Sequence, residues 1–142
     1  MKKFILCALL SIAATFAFGQ TKCNSGDINL NLSFKRCIVN NNSAIIDFII
    51  TNLKKDDLYM CMSGCRAYDD EGNCYTRNVE FDFGNTGDNR CILPTETPVK
   101  LRCIIGDIDE FATKIVRLDL IYTKSDSMSY TMTVKEIAFS RN

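Results

Sequence analysis

The chain has 142 residues, and its 17 basic and 17 acidic side chains give a formal net charge of zero at neutral pH. This balance gives no electrostatic reason to expect nucleic acid or an anionic membrane as a partner. Histidine is absent, which excludes Ser-His-Asp and Cys-His catalysis as well as zinc sites that contain histidine.

The first predicted element is an export signal. The chain opens MKKFILCALLSIAATFAFGQ, in which two lysines precede an apolar run that ends at Phe18. This arrangement is typical of a secretory signal peptide, and the run is short for a membrane span. We predict a signal peptide over residues 1–19, cleaved after Gly19, and one domain over residues 20–142. The mature protein is then expected to be secreted or periplasmic, without a lipid anchor or membrane insertion.

Alternating hydrophobicity predicts a first pair of strands. In DINLNLSFKRCIV, Ile28, Leu30, Leu32 and Phe34 alternate with polar residues, as in a half-buried strand. Residues 40–43, NNNS, favour a turn because Asn tolerates left-handed backbone angles, and the β-branched run AIIDFIITN follows. The economical prediction is a β-hairpin.

The stretch CMSGCRAYDDEGNCY, residues 61–75, raises several possible sites. The three cysteines of this stretch could bind zinc together with a fourth cysteine, but the stretch lacks the short paired knuckles of structural zinc sites. A redox pair is also possible, but its C-x₃-C spacing is not that of a thioredoxin-like pair. A calcium loop of EF-hand type fails because Gly72 is misplaced and no glutamate closes the loop. In an extended strand Cys61 and Cys65 would lie about 13 Å apart, so they could bond only if MSG bends. We predict a disulfide-braced hairpin turning at Gly72, with its acidic tip in solvent.

Alternating and β-branched segments in the second half of the chain predict four more strands. NVEFDF, VKLRCIIG, IVRLDLIY and MSYTMTVKEIAF alternate or are β-branched, and GNTGDN, LPTETP and TKSDS separate them. The face that contains Cys103 is apolar, so we expect this side chain to be buried. At most a short helical turn is expected over residues 107–114, with Asp107 as its cap.

Together these elements predict an all-β fold, an immunoglobulin-like antiparallel β-sandwich of seven to eight strands, with a β-barrel as the alternative. The succession FIITN, AYDDEGNCY, LPTETPVKL and ATKIVRLDL resembles a family of small exported bacterial domains of unknown function, over about residues 28–139. That family is similar in fold to the mycobacterial secreted immunoprotective antigen. The resemblance implies the sandwich fold and export. It brings no catalytic residues, and the cysteines lie outside its pattern.

Signal cleavage would leave seven of the eight cysteines. Export favours disulfides, and three bridges with one thiol left over can be drawn in about 105 ways. We therefore expect bridges but no deducible pairing, with Cys23 as the candidate for the unpaired thiol because it lies nearest the mature terminus. The candidates are Cys23, Cys37, Cys61, Cys65, Cys74, Cys91 and Cys103.

The function expected from these features is that of a non-enzymatic binding or interaction module, without a cofactor, for an unknown protein or glycan. The exposed loop candidates for partner binding are Asp69, Asp70, Glu71 and Asn73. A disulfide-braced inhibitor of an extracytoplasmic enzyme, which would use this loop or residues 85–89, is the alternative.

Two other functional interpretations carry less weight. The carboxylates at positions 107, 109 and 110 could mimic a glycosidase acid and base, but they are more typical of a solvated capping loop. The tyrosines could form a sugar-binding platform, although the chain has no tryptophan and strand packing explains most of them.

Overall fold

The computed structural model describes residues 20–141, and all the regular structure in this range is β-strand. The predicted signal peptide lies outside the described residues. The strands are β1 (Lys22–Asn24), β2 (Leu30–Asn40), β3 (Ser43–Asn52), β4 (Leu58–Asp69), β5 (Cys74–Tyr75), β6 (Val79–Phe83), β7 (Arg90–Leu93), β8 (Pro98–Ile105), β9 (Lys114–Thr123), β10 (Ser129–Ala138) and β11 (Ser140–Arg141). The all-β prediction is confirmed, with short extra strands beyond the seven or eight expected.

The strands form two sheets that pack as a sandwich. The first sheet has the order β1-β10-β9-β4, and both β5 and β7 pair with the far side of β4. The second sheet has the order β11-β2-β3-β8-β6. Pairing between strands is antiparallel except for β11, which runs parallel to β2. Between β5 and β7 the chain crosses to the second sheet as β6 and then returns.

The core lies between the two inner faces. Alternate residues of the long central strands are completely buried, including Phe48 and Ile50 on β3 and Leu118 and Leu120 on β9. Cys103 is also completely buried, as its place on the apolar face of β8 predicts. Burial of these side chains is the main source of stability, because each contributes roughly 1.5 to 3 kcal/mol relative to exposure.

The β2–β3 hairpin is confirmed, but its first strand starts later than expected. Asn41 and Asn42 take φ angles of 50° and 63° at the turn. The strand begins at Leu30, whose N–H donates to the Asp27 carbonyl across 3.1 Å. This turn leaves Ile28 outside the sheet, with 94% of its surface exposed, so its predicted place on the buried face is wrong.

A β-bulge at Ser63 changes which side chains of β4 face the core. The register against β9 shifts between Met62 and Gly64, and the Ser63 hydroxyl donates to the carbonyl of Ile121 at 3.1 Å. Met62 is buried before the bulge and Cys65 is buried after it. An extra residue in one strand reverses the alternation beyond it.

No helix occurs over residues 107–114, within the part of the chain that is described. A single turn is present, in which the Ala112 N–H donates to the Asp109 carbonyl at 3.1 Å. Asp109 also accepts the Phe111 N–H at 2.9 Å through its side chain. Asp107 has a φ of 58° and its carboxylate accepts from the Asn78 amide, so it is not a helix cap.

The loops gather at the two ends of the sandwich. We call the end formed by residues 25–29, 53–57, 94–97 and 124–128 the Ile28 end. The opposite end, formed by the hairpin turn at residues 70–73 and by residues 106–113, is the Gly72 end.

Candidate functional site

The predicted hairpin at the Gly72 end is present, but its first acidic residue is not in solvent. Asp69 is only 3% exposed, which corrects its place among the exposed loop candidates. The reason is that the alternation of β4 after the bulge at Ser63 continues through Cys65 and Ala67 and places this side chain on the inner side of the strand. Gly72 occupies the turn with a φ of 89°, as its position in the sequence indicates.

Asp69 is held by a set of hydrogen bonds. The Tyr75 hydroxyl donates to Asp69 Oδ2 at 2.6 Å, and the Asn73 amide donates to the same oxygen at 2.9 Å. The backbone N–H groups of Glu71 and Asn73 each donate to Oδ1 at 2.9 Å. Burial opposes ionisation of Asp69, but these hydrogen bonds outweigh it and hold its pKa below the ordinary 3.8.

The same groups tie the hairpin to the neighbouring loop. The Tyr75 hydroxyl accepts the Asp109 N–H at 3.0 Å, and the Asn73 amide also donates to Asp109 Oδ2 at 2.9 Å. Burial and the hydrogen bond to Asp69 raise the pKa of Tyr75 to about 12. The hairpin is therefore braced by a polar cluster, where the sequence predicted disulfides.

The other three predicted loop residues differ in how far they are exposed to solvent. Asp70 and Glu71 are exposed and Asn73 is half-buried. The carboxylate of Asp70 accepts the Thr113 N–H at 2.9 Å and also accepts the hydroxyl of that residue. Most polar atoms of this tip are thus occupied by internal contacts.

All seven cysteines in the described range are free thiols, so the bridges expected from the sequence are not seen. Cys61 lies on the outer side of β4, whereas Cys65 lies on the inner side because of the bulge at Ser63. A bond between these two cysteines is therefore excluded by their directions. Cys74 is exposed in the hairpin.

Buried cysteines in this domain behave as small apolar core residues. Contact with the Cys65 thiol and full burial raise the pKa of Cys103 well above its ordinary value. Burial raises the pKa of Cys37 to about 12. Within residues 20–141 no group of three or more His, Cys, Asp or Glu side chains could hold a metal ion.

The Ile28 end carries an exposed apolar group that the sequence analysis missed. Ile28 is 94% exposed, Met128 is 62% exposed and Leu53 is 49% exposed, each on a different loop. Single exposed apolar side chains are common on soluble domains, but several at one end of a domain often mark an interaction site.

Hydrogen bonds and one ion pair hold these loops against each other. The Leu53 N–H donates to the Asn29 carbonyl at 2.8 Å, next to Ile28. Lys124 Nζ lies 3.4 Å from Asp27 Oδ2, which joins the loop of Ile28 to the loop of Met128. The apolar group is therefore displayed on loops with defined positions.

A buried asparagine anchors the third loop. Asn52 is completely buried at the end of β3, and its amide donates to the carbonyls of Asp56 and Leu93 at 2.8 and 3.2 Å. Its side-chain oxygen accepts the Lys54 N–H at 3.0 Å. These contacts fix the residue 53–57 loop, whose own residues are all exposed.

The signal for this site was present in the sequence. Ile28 follows Ser-Gly-Asp, a turn sequence, and the alternation from Leu30 onward is complete without it. An apolar residue in a turn has no strand neighbour to pack against.

No protein-family model, curated protein or solved structure matches the chain. No helix in the described range is long and apolar enough to cross a membrane.

Proposed function

We propose that this protein is an exported, non-enzymatic binding module with an immunoglobulin-like sandwich, and that the Ile28 end contacts a protein partner. The observation that carries the proposal is the exposure of Ile28, Leu53 and Met128 on three neighbouring loops. The two-sheet arrangement supports the fold assignment, and export rests on the predicted signal peptide.

Covering exposed apolar side chains with a partner removes them from water and stabilises the complex. Complete burial contributes roughly 1.5 to 3 kcal/mol for each side chain of this size. The charged neighbours Lys54, Lys55, Asp56 and Asp57 are exposed around Leu53 and would form a polar rim. An apolar centre with a charged rim is the arrangement of protein–protein contact surfaces.

The inhibitor alternative depended on a protruding loop, either the acidic hairpin tip or residues 85–89. Because Asp69 is buried and the tip is tied to the residue 106–113 loop, no observation favours that alternative over a general binding module.

The test uses a triple variant, I28S/L53S/M128S, and F111S as the control. Phe111 is 71% exposed but lies at the Gly72 end, in the loop of residues 106–113. Tagged wild-type and variant proteins are incubated with the envelope fraction of the native host, and bound proteins are quantified by mass spectrometry. We expect one partner to be depleted at least about tenfold with the triple variant, which corresponds to about 1.4 kcal/mol.

Unchanged circular dichroism and thermal unfolding of the triple variant would establish that it is folded. Equal recovery of the same partner with the triple variant would refute the assignment of the surface. Turnover of a substrate by the purified domain, abolished by changing one carboxylate, would refute the non-enzymatic function.

A further inference from the structure

Three cations stand directly opposite one another on the outer face of the first sheet. Lys22 on β1 pairs with Lys135 on β10, and Lys135 pairs with Arg117 on β9. All three side chains are exposed, while Val134 and Leu118 beside them face the core. We call these three residues the cation row.

Like charges directly opposite on neighbouring strands destabilise a sheet. The only carboxylate in an ion pair with the cation row, among the described residues, is Asp119, which lies 3.1 Å from Arg117 Nε. Three positive charges and one negative charge leave a local charge of +2, in a chain whose net charge is zero. An anionic ligand would remove this repulsion.

A nearby acid does not neutralise the row. Glu136 follows Lys135 but takes a φ of 60°, and its carboxylate accepts from Lys114 Nζ at 2.8 Å. The Thr21 hydroxyl donates to the Glu136 carbonyl at 2.7 Å and holds this irregular backbone. A non-glycine residue with positive φ inside a strand is a strained conformation that needs such support.

The cation row lines a groove of about 400 Å³ together with Cys23, Asn24 and Thr133. The side-chain oxygen of Asn24 accepts the Gly26 N–H at 2.9 Å, so its amide NH₂ group is left to donate. The Thr133 hydroxyl donates to Asp119 Oδ1 at 2.9 Å. The groove thus offers ammonium, guanidinium and amide donors, which suit carboxylate or sulfate oxygens.

An aromatic ring continues the row on the next strand. Tyr68 on β4 is directly opposite Arg117 and is 36% exposed. Four neighbouring strands place these side chains over about 14 Å, from a strand spacing of about 4.8 Å. Cations beside an exposed ring can bind the anionic groups and the apolar ring face of an acidic sugar.

We propose that this row and groove bind an acidic polysaccharide, with Lys22, Lys135 and Arg117 contacting its carboxylate or sulfate groups and Tyr68 contacting a sugar ring. This site is separate from the Ile28 end and does not depend on the proposed protein partner. A nucleic acid is less suitable, because contacts between cations and phosphates supply essentially all of the non-specific affinity for nucleic acid, and the row offers only three cations.

The experiment measures binding of the full exported protein to four probes in low salt by isothermal titration calorimetry. The probes are polygalacturonate, dextran sulfate, uncharged dextran and an oligothymidylate. The two acidic polysaccharides distinguish carboxylate from sulfate recognition. The test variant is K22Q/K135Q, and the matched control is K54Q/K55Q, which removes two exposed lysines from the Ile28 end.

We expect at least one acidic polysaccharide to bind, with affinity reduced about tenfold in K22Q/K135Q and unchanged in K54Q/K55Q. Equal loss in both lysine variants would show a general charge effect and overturn the site. Binding of uncharged dextran with equal affinity, or tighter binding of the oligothymidylate, would overturn the ligand class.

The role of the aromatic ring is tested by Y68A against Y59A, since Tyr59 is 37% exposed on the same strand but outside the row. We expect affinity to fall several-fold only in Y68A. An unchanged affinity in Y68A would remove the reason for preferring a sugar and would overturn the polysaccharide assignment.

Discussion

Replacing Tyr75 by phenylalanine removes one hydroxyl and leaves the ring in place. That hydroxyl donates to Asp69 Oδ2 at 2.6 Å and accepts the Asp109 N–H at 3.0 Å. Asp69 is 3% exposed, so water cannot readily replace the lost donor. Y75F therefore tests whether the polar cluster, rather than covalent bridging, braces the hairpin.

The expected loss in the free energy of unfolding is about 2 to 3 kcal/mol. A hydrogen bond to a charged group contributes about 1.5 to 3 kcal/mol, and the Asp109 N–H also loses its acceptor. Asp69 keeps three other donors, from Glu71 and Asn73, which limits the cost. For a domain of this size the loss corresponds to a decrease in melting temperature of about 10 °C.

The difference in unfolding free energy between wild type and Y75F should also change with pH in the alkaline range. The folded-state pKa of Tyr75 is raised from 10.0 to about 12, because burial and the bond to Asp69 favour the neutral phenol. The corresponding stability is fully present below pH 10.0 and is lost as pH rises toward about 12. Tyr122 has a similarly raised pKa but is present in both proteins, so it cancels in the comparison.

The assay is urea unfolding at pH 7 and at several pH values above 10, with Y59F as the matched control. Tyr59 is 37% exposed, so Y59F should change stability by less than about 0.5 kcal/mol. A Y75F protein as stable as Y59F at pH 7 would show that the Tyr75 hydroxyl does not brace the hairpin. A stability difference that stays constant up to pH 12 would contradict the raised pKa of Tyr75.

The Asp47 carboxylate is 2% exposed and lies between two arginines, and the hydrogen bond from Arg102 is the main cause that lowers its pKa. D47N should therefore lower the free energy of unfolding by about 1 to 3 kcal/mol at pH 7. The difference in unfolding free energy between wild type and D47N, measured with urea, should decrease as pH falls below 3.8. An equal difference at pH 7 and pH 3 would contradict the ion pair. In reduced native protein, iodoacetamide should modify exposed Cys74 first and buried Cys103 only after unfolding, as peptide mass mapping would show. Rapid modification of Cys103 would contradict the packing of the core. Exported protein should begin at Gln20, and an intact mass that retains all 142 residues would rule out the signal peptide.

The regular part of this fold was predictable because its signal is local. Alternation with period two specifies the inward and outward faces of β3 and β8, and of β2 as far as Phe34, and Asn41, Asn42 and Gly72 take the positive φ angles expected of turn residues. Where the alternation is uninterrupted, the buried side chains are those that the sequence indicates.

The errors occur where the register is irregular. Bulges at Lys35 in β2 and at Ser63 in β4 decide which side chains face the core beyond them, and only the second has a local sequence signal, the glycine at position 64. The sequence therefore predicted that the Asp69 side chain lies in solvent and that disulfide bonds brace the hairpin. Buried cysteines such as Cys65 and Cys103 are common core residues, which a count of cysteines does not reveal.

The cation row could not be predicted for a different reason. Lys22 and Lys135 are separated by 113 positions in the sequence, and only the pairing of β1 with β10 brings them together. Net charge averages over such groups, so a neutral chain gave no indication of a basic groove.

Site-specific photocrosslinking in the native host tests directly whether the Ile28 end recognises a protein. A benzophenone amino acid is placed at position 28 and, as the control, at position 111, where the natural phenylalanine is 71% exposed at the Gly72 end. After irradiation, adducts of the tagged protein are separated and identified by mass spectrometry. We expect one defined protein adduct from position 28 that is absent from position 111. The same adducts at equal yield from both positions, or no adduct from position 28, would contradict recognition of a protein by this end.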